Sequence, residues 1–133
     1  MAEPLLVAGA EAEDIPTISA LLQDGVLKAS DMGFDRAQNR FVLMFNRYRW
    51  EKRDKTRTRA ALRIDSVIRV QKRNWPNLPS TAMELLALRY EDHALHLDFA
   101  GGAALKLDVE AIDILLEDLS GPWGAKREPK HAL

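Results

Sequence analysis

Between Arg47 and Arg59 the chain reads RYRWEKRDKTRTR, and cations interleaved with aromatic rings suit a surface that neutralises phosphates and stacks bases. The candidate contact residues are Arg47, Arg49, Lys52, Arg53, Lys55, Arg57 and Arg59. They belong to a wider segregation of charge. From Arg36 to Arg73 there are thirteen Lys or Arg against three Asp or Glu, whereas residues 1–35 carry one against seven and residues 74–125 carry two against nine. The formal net charge of −1 therefore conceals a cationic middle between acidic flanks. Concentrated cations attract anions, so an acidic protein or a lipid headgroup comes first among partner classes and a nucleic acid second. The sequence pI near 6.3 is low for a nucleic-acid-binding domain, which puts RNA or single-stranded DNA second. The competing account is that these cations solvate the tip of a long hairpin, discourage edge-to-edge pairing and pair with the flanking carboxylates.

Other spacings that suggest chemistry do not survive inspection. His93, His96 and Asp98 form H-x-x-H-x-D, but residues three apart on a strand point to opposite faces, so the two histidines cannot chelate one ion. The acids Glu110, Asp113, Glu117 and Asp118 sit where an exposed helix face would neither bury nor juxtapose them, as acid/base work requires. Gly101-Gly102 lies between two strands with no helix behind it and no following Lys-Ser or Lys-Thr, so it reads as a turn and not a phosphate loop. No serine stands in a nucleophile-elbow context, and the absence of Cys removes thiol chemistry and thiolate metal sites. The expectation is a non-enzymatic protein with no catalytic residue, metal ligand or cofactor, acting as a binding or interaction module through the basic surface around residues 47–59 or through the sheet edge.

The elements that must position this surface follow from periodicity. Ile15, Ile18, Leu21 and Leu22 recur at helical spacing, with Pro16 in the first turn and Gly25 placed to end the helix. Residues 5–8 could form a short strand before it. From Val26 the period shortens, and VLKASDM, RFVLMFNRYRW and TRAALRIDSVIRVQKRN read as strands, with GFDRAQN as the first connection. Beyond Asn46, Tyr48 and Trp50 fall on the face of Val42 and Met44 and are expected to pack there, while Arg47 and Arg49 fall on the other. Asp65-Ser66 is the expected corner of the long third run. NWPNLPS, with two prolines, is a loop.

MELLALRYE and ALHLDFAGGAALKLDV continue the sheet, with EDH as a tight connection. A two-residue Gly101-Gly102 loop would oppose Leu97 with Lys106. A three-residue loop, Ala100-Gly101-Gly102, instead pairs Phe99 with Ala103, Leu97 with Leu105 and Leu95 with Leu107, and is the expected register. Lys106 then opposes His96. Asp108 can cap a final helix whose stripe is Val109, Ile112, Leu115, Leu116 and Leu119. Trp75 and Trp123, beside prolines, are expected to be buried as seals.

The fold class expected is α+β: about seven mostly antiparallel strands, as a sheet or small barrel in pleckstrin-homology-like order, with a C-terminal helix and an additional N-terminal helix. A single domain is expected over residues 1–125 and a disordered tail over 126–133. The N-terminus has no basic region before its short apolar stretch, and no apolar run is long enough to cross a bilayer, so a cytoplasmic location is expected. A homodimer is the default assembly.

The blocks LLQDGVLKASDM, RFVLMFNRYRW, RTRAALRIDSVIRVQKRN, LALRYE and LHLDFAGGAALKLDVEAIDILLEDLSGPW resemble a small family of cytoplasmic proteins from alphaproteobacteria that is catalogued only as a domain of unknown function. The resemblance spans residue 5 to about residue 123. It implies a bacterial, cytoplasmic, single-domain protein and transfers no functional residue.

Overall fold

Apolar residues alternating with polar ones commit most of the chain to strands, and the strands join edge to edge. The computed structural model describes residues 4–52 and 55–119. Its strands are β1 (Leu6–Gly9), β2 (Val26–Lys28), β3 (Met32–Asp35), β4 (Arg40–Tyr48), β5 (Arg57–Ile64), β6 (Val67–Arg73), β7 (Ala82–Glu91), β8 (Ala94–Phe99), β9 (Ala104–Val109) and β10 (Ile114–Asp118), with one α-helix, α1 (Ile15–Leu22), between β1 and β2. They form one antiparallel sheet in the order β1-β10-β5-β4-β2-β7-β8-β9-β6, with β3 also paired to β4.

β5 and β6 are two arms of one bent strand. The bend falls at the expected Asp65-Ser66 corner, where Ser66 takes φ 61°. One arm pairs β4 and β10; the other pairs β9 at the far end of the order. The sheet therefore folds around a single core in which Leu43 and Phe45 of β4, Leu62 of β5, Leu97 of β8, Leu105 of β9 and Leu116 of β10 are all buried. Ile15, Ile18 and Leu22 of α1 complete that core. The helix stops where the Gly25 N–H reaches the Leu22 carbonyl at 2.9 Å. Glycine is required at that point, because a Cβ would lie 2.9 Å from the Leu22 oxygen and 3.1 Å from the Phe45 ring.

The last hairpins follow the expected register. Leu97 opposes Leu105, Leu95 opposes Leu107, and Phe99 donates to the Ala103 carbonyl at 2.9 Å. The intervening loop holds Gly101 at φ 85° and Gly102 at φ 90°. Asp92 and His93, at φ 52° and 62°, make the two-residue turn between β7 and β8, with both central residues in the left-handed conformation that matches strand twist.

Three expectations are corrected. Among the described residues the sheet has ten strands and not about seven: VLKASDM breaks at Ala29–Asp31 into β2 and β3, and β3 takes up residues assigned to the first connection. Among the described residues there is no C-terminal helix. Ile114–Asp118 is a strand held between β1 and β5, and Asp108, expected as a helix cap, lies in β9 opposite Arg69. A short apolar run such as Ile114-Leu115-Leu116 satisfies both periods, and ladders offered on both sides by distant strands decide between them. The element order behind the pleckstrin-homology-like reading, seven strands and then a helix, is accordingly replaced by strands to the end of the described chain. The expected tail, 126–133, and Trp123 lie outside the described residues.

Candidate anion-binding face

The basic segment divides between the inside and the outside of the fold. Phe41, Leu43 and Phe45 set the inner face of β4, and the same parity carries Arg47 and Arg49 inward, 0% and 3% exposed. A guanidinium removed from water must be fully paired, and Arg47 is. Its Nε and Nη2 donate to Asp118 at 3.1 and 3.0 Å, its Nη1 and Nη2 donate to Glu51 at 2.8 Å each, and Nη1 also reaches the Tyr48 carbonyl at 3.3 Å. Burial opposes the Arg47 charge, but hydrogen bonds and attraction from Glu51 and Asp118 outweigh it and raise its pKa above the ordinary arginine value. The Arg47 hydrogen bond holds the Glu51 carboxyl below the ordinary carboxylate range, against the opposing effect of partial burial. Arg49 donates to the Thr56 hydroxyl at 2.9 Å.

The remaining candidates lie elsewhere. Lys52 and Lys55 are exposed between β4 and β5, and Arg53 is outside the described residues. Arg57 is half-buried, 5.7 Å above the Tyr48 ring, and donates to the carbonyls of Asp24 and Asn46. Arg59 is exposed, and its carbonyl accepts the Leu119 N–H at 2.7 Å. The segment 47–59 is thus brought together partly as an internal polar tier and not as one continuous surface. Tyr48 packs half-buried as expected, whereas Trp50 stays 47% exposed, its ring 4.6 Å from Tyr48 and its Nε1 donating to the Gln23 carbonyl. Trp75 is half-buried, edge-on to Phe99 at 5.8 Å, with the Lys72 ammonium 5.2 Å from its centroid.

Further along the cationic middle the carboxylates divide the charges again. Asp65 takes both Arg40 and Arg63, at 2.7 and 3.3 Å. Among the described residues, no carboxylate lies within salt-bridge distance of Arg69, Lys72 or Arg73 on β6. That strand ends a four-strand face, β6-β9-β8-β7, whose registers place Gln71, Lys106, His96 and Arg89 in one cross-strand row. Arg73 lies one row over, in line with Ala104 and Asp98. These side chains line a cleft of about 400 Å³ with Lys72 and Asp98. On the outer face Arg73, Arg89 and Lys106 meet Asp98, which orients Arg89 through contacts of 2.7 and 3.4 Å, while Lys106 also lies 3.9 Å from Asp108. The Asp98 hydrogen bond also raises the Arg89 pKa.

Such a face can hold an anion against preformed strands, because its charges need no loop to order before contact. The sequence register already opposed Lys106 to His96. Extending that pair to Gln71 and Arg89 needs the strand order, which local pattern does not carry. His93 sits in the β7–β8 turn, away from this row.

No curated protein and no solved structure matches the chain. Residues 5–131 match the family described as "Protein of unknown function (DUF2948)", and the chain belongs to that family.

Proposed function

We propose that the protein is a non-enzymatic binding module that engages an acidic protein segment, using the outer face of β6-β9-β8-β7 as its main contact surface. The observation that carries this reading is the row Gln71–Lys106–His96–Arg89, flanked by Arg69 and Arg73. Its supporting contrast is Arg47, which is buried and paired by both Glu51 and Asp118, whereas Arg40 and Arg63 share the single carboxylate of Asp65. Lys52 and Lys55 form a second, smaller exposed set. A cytoplasmic, bacterial setting belongs to the same proposal, as does the assignment of no cofactor.

The test is retention at low salt on immobilised polyglutamate and, in parallel, on mixed RNA and single-stranded DNA. The reading expects retention on polyglutamate that salt releases, with little retention on nucleic acid. Nucleic acid held more tightly than polyglutamate, with roughly a hundredfold weakening on a threefold rise in salt, would transfer the assignment to RNA or single-stranded DNA binding. Failure to bind either would remove the basic face from consideration.

A further inference from the structure

We infer that the acidic segment binds as an added β-strand on the free edge of β6; this deepens the proposed function and rests on it. β6 is the last strand of the sheet order, and among the described residues no strand pairs its outer side. The direction of its backbone groups follows from the neighbouring ladder. The Val109 N–H donates to the His93 carbonyl at 3.0 Å and the Phe99 N–H donates to the Ala103 carbonyl at 2.9 Å. Odd-numbered residues of β9 therefore turn their backbone toward β8, and by antiparallel alternation Ala104, Lys106 and Asp108 turn theirs toward β6. Their partners are Arg73, Gln71 and Arg69. Val70 and Lys72 are left with N–H and C=O directed at the open edge.

The side chains determine which strand that edge accepts. Arg69, Gln71 and Arg73 share the outer face with Lys106 and with Asp108, which stands opposite Arg69, so cations outnumber the carboxylate along this edge, and Ile68 stands 56% exposed beside them. Positive side chains on an edge repel a second copy of the same edge, which disfavours self-pairing through β6. The same charges favour a strand bearing Asp or Glu at every second position. Main-chain bonds to Val70 and Lys72 would supply affinity, and carboxylates beside Arg69 and Arg73 would supply selectivity. The occupant is thus an extended acidic peptide and not an acidic helix, which could meet the charges but not the open ladder.

The experiment uses the full chain and a short peptide alternating Glu with Val, with a Lys-for-Glu version as control. Amide exchange is followed residue by residue. Strand addition predicts that the Val70 and Lys72 amides exchange readily in the free protein and slow at least tenfold when the Glu peptide is bound, and that the Lys peptide does nothing. It also predicts that Lys72→Pro, which deletes an outward-facing N–H and no bond of the β6–β9 ladder, weakens binding about tenfold relative to Lys72→Gln. If the Glu peptide binds in a salt-sensitive manner but neither amide gains protection, strand addition is wrong while acidic-segment binding stands. If the Glu peptide does not bind, both fall.

Discussion

Arg47 and Asp118 stand 71 residues apart in the chain and close on each other through two parallel N–H···O contacts, 3.1 and 3.0 Å, in the interior of the fold. The pair fixes three elements at once. Arg47 lies on β4, Asp118 ends β10, and the Asp118 carboxylate and N–H both bond the backbone of Leu5 just before β1, at 3.0 and 2.9 Å. The last described strand and the first are thereby fastened to the same guanidinium.

Removing Asp118 should strip the buried Arg47 Nε of its carboxylate and leave Glu51 as the remaining partner of the guanidinium. Asp118→Ala is expected to cost about 3 kcal/mol, the low end of the penalty for breaking a buried ion pair from one side, because Glu51 still holds the guanidinium. Arg47→Met combined with Asp118→Ala should cost less than the two single changes added together, because the stranded charge is gone. Urea unfolding of all four proteins in the cycle measures the coupling; simple additivity would show that the two groups do not depend on each other.

That same contact accounts for what local pattern could and could not disclose. The parity separating Arg47 and Arg49 from Tyr48 was legible, and so were the Asp65-Ser66 corner and the Leu97–Leu105 register. Which face of β4 points inward was not, because Val42 and Met44 are as apolar as Leu43 and Phe45. An inward arginine is tolerable only beside a partner, and that partner sits on Asp118 in a segment whose spacing also fits a helix. The missed strand and the missed burial are one error, since only the pairing of β10 with β5 brings Asp118 to Arg47. For the candidate face, Lys106 opposite His96 could be read from a hairpin. The contribution of β6 depends on contacts made after the corner, which no short window contains.

Acid should weaken the fold through Glu51. Its carboxyl pKa in the folded state is lowered from an ordinary value of 4.5 by the Arg47 hydrogen bond, so its contribution is complete above that value and is lost as pH falls through the lower folded one. Glu51→Gln is expected to flatten this part of the acid limb. Glu84 has the opposite sign: the hydrogen bond it shares with Asp24 raises its pKa, a contribution present below 4.5 and lost as pH rises through the folded value. Glu84→Gln should therefore leave stability at neutral pH unchanged or slightly higher. Urea midpoints collected from neutral pH to pH 3 separate the two variants.

The β8–β9 loop depends on its second glycine. Gly102→Ala forces a side chain onto φ 90° and is expected to destabilise by about 1–3 kcal/mol, although the site has room, its would-be Cβ finding only the Asn74 amide at 3.8 Å. Thermal unfolding of the variant tests this. An unchanged midpoint would mean that the loop rearranges without cost.

The proposed contact face is tested most directly by charge reversal at two separate places, measured as affinity for the alternating Glu peptide at low salt. Arg73→Glu with Lys106→Glu should abolish binding, or weaken it at least a hundredfold, while Lys52→Glu with Lys55→Glu should change it less than fivefold, given their exposure outside the four-strand face. Equal losses from both pairs, or a larger loss from Lys52 and Lys55, would contradict the account and return the contact surface to the β4–β5 connection.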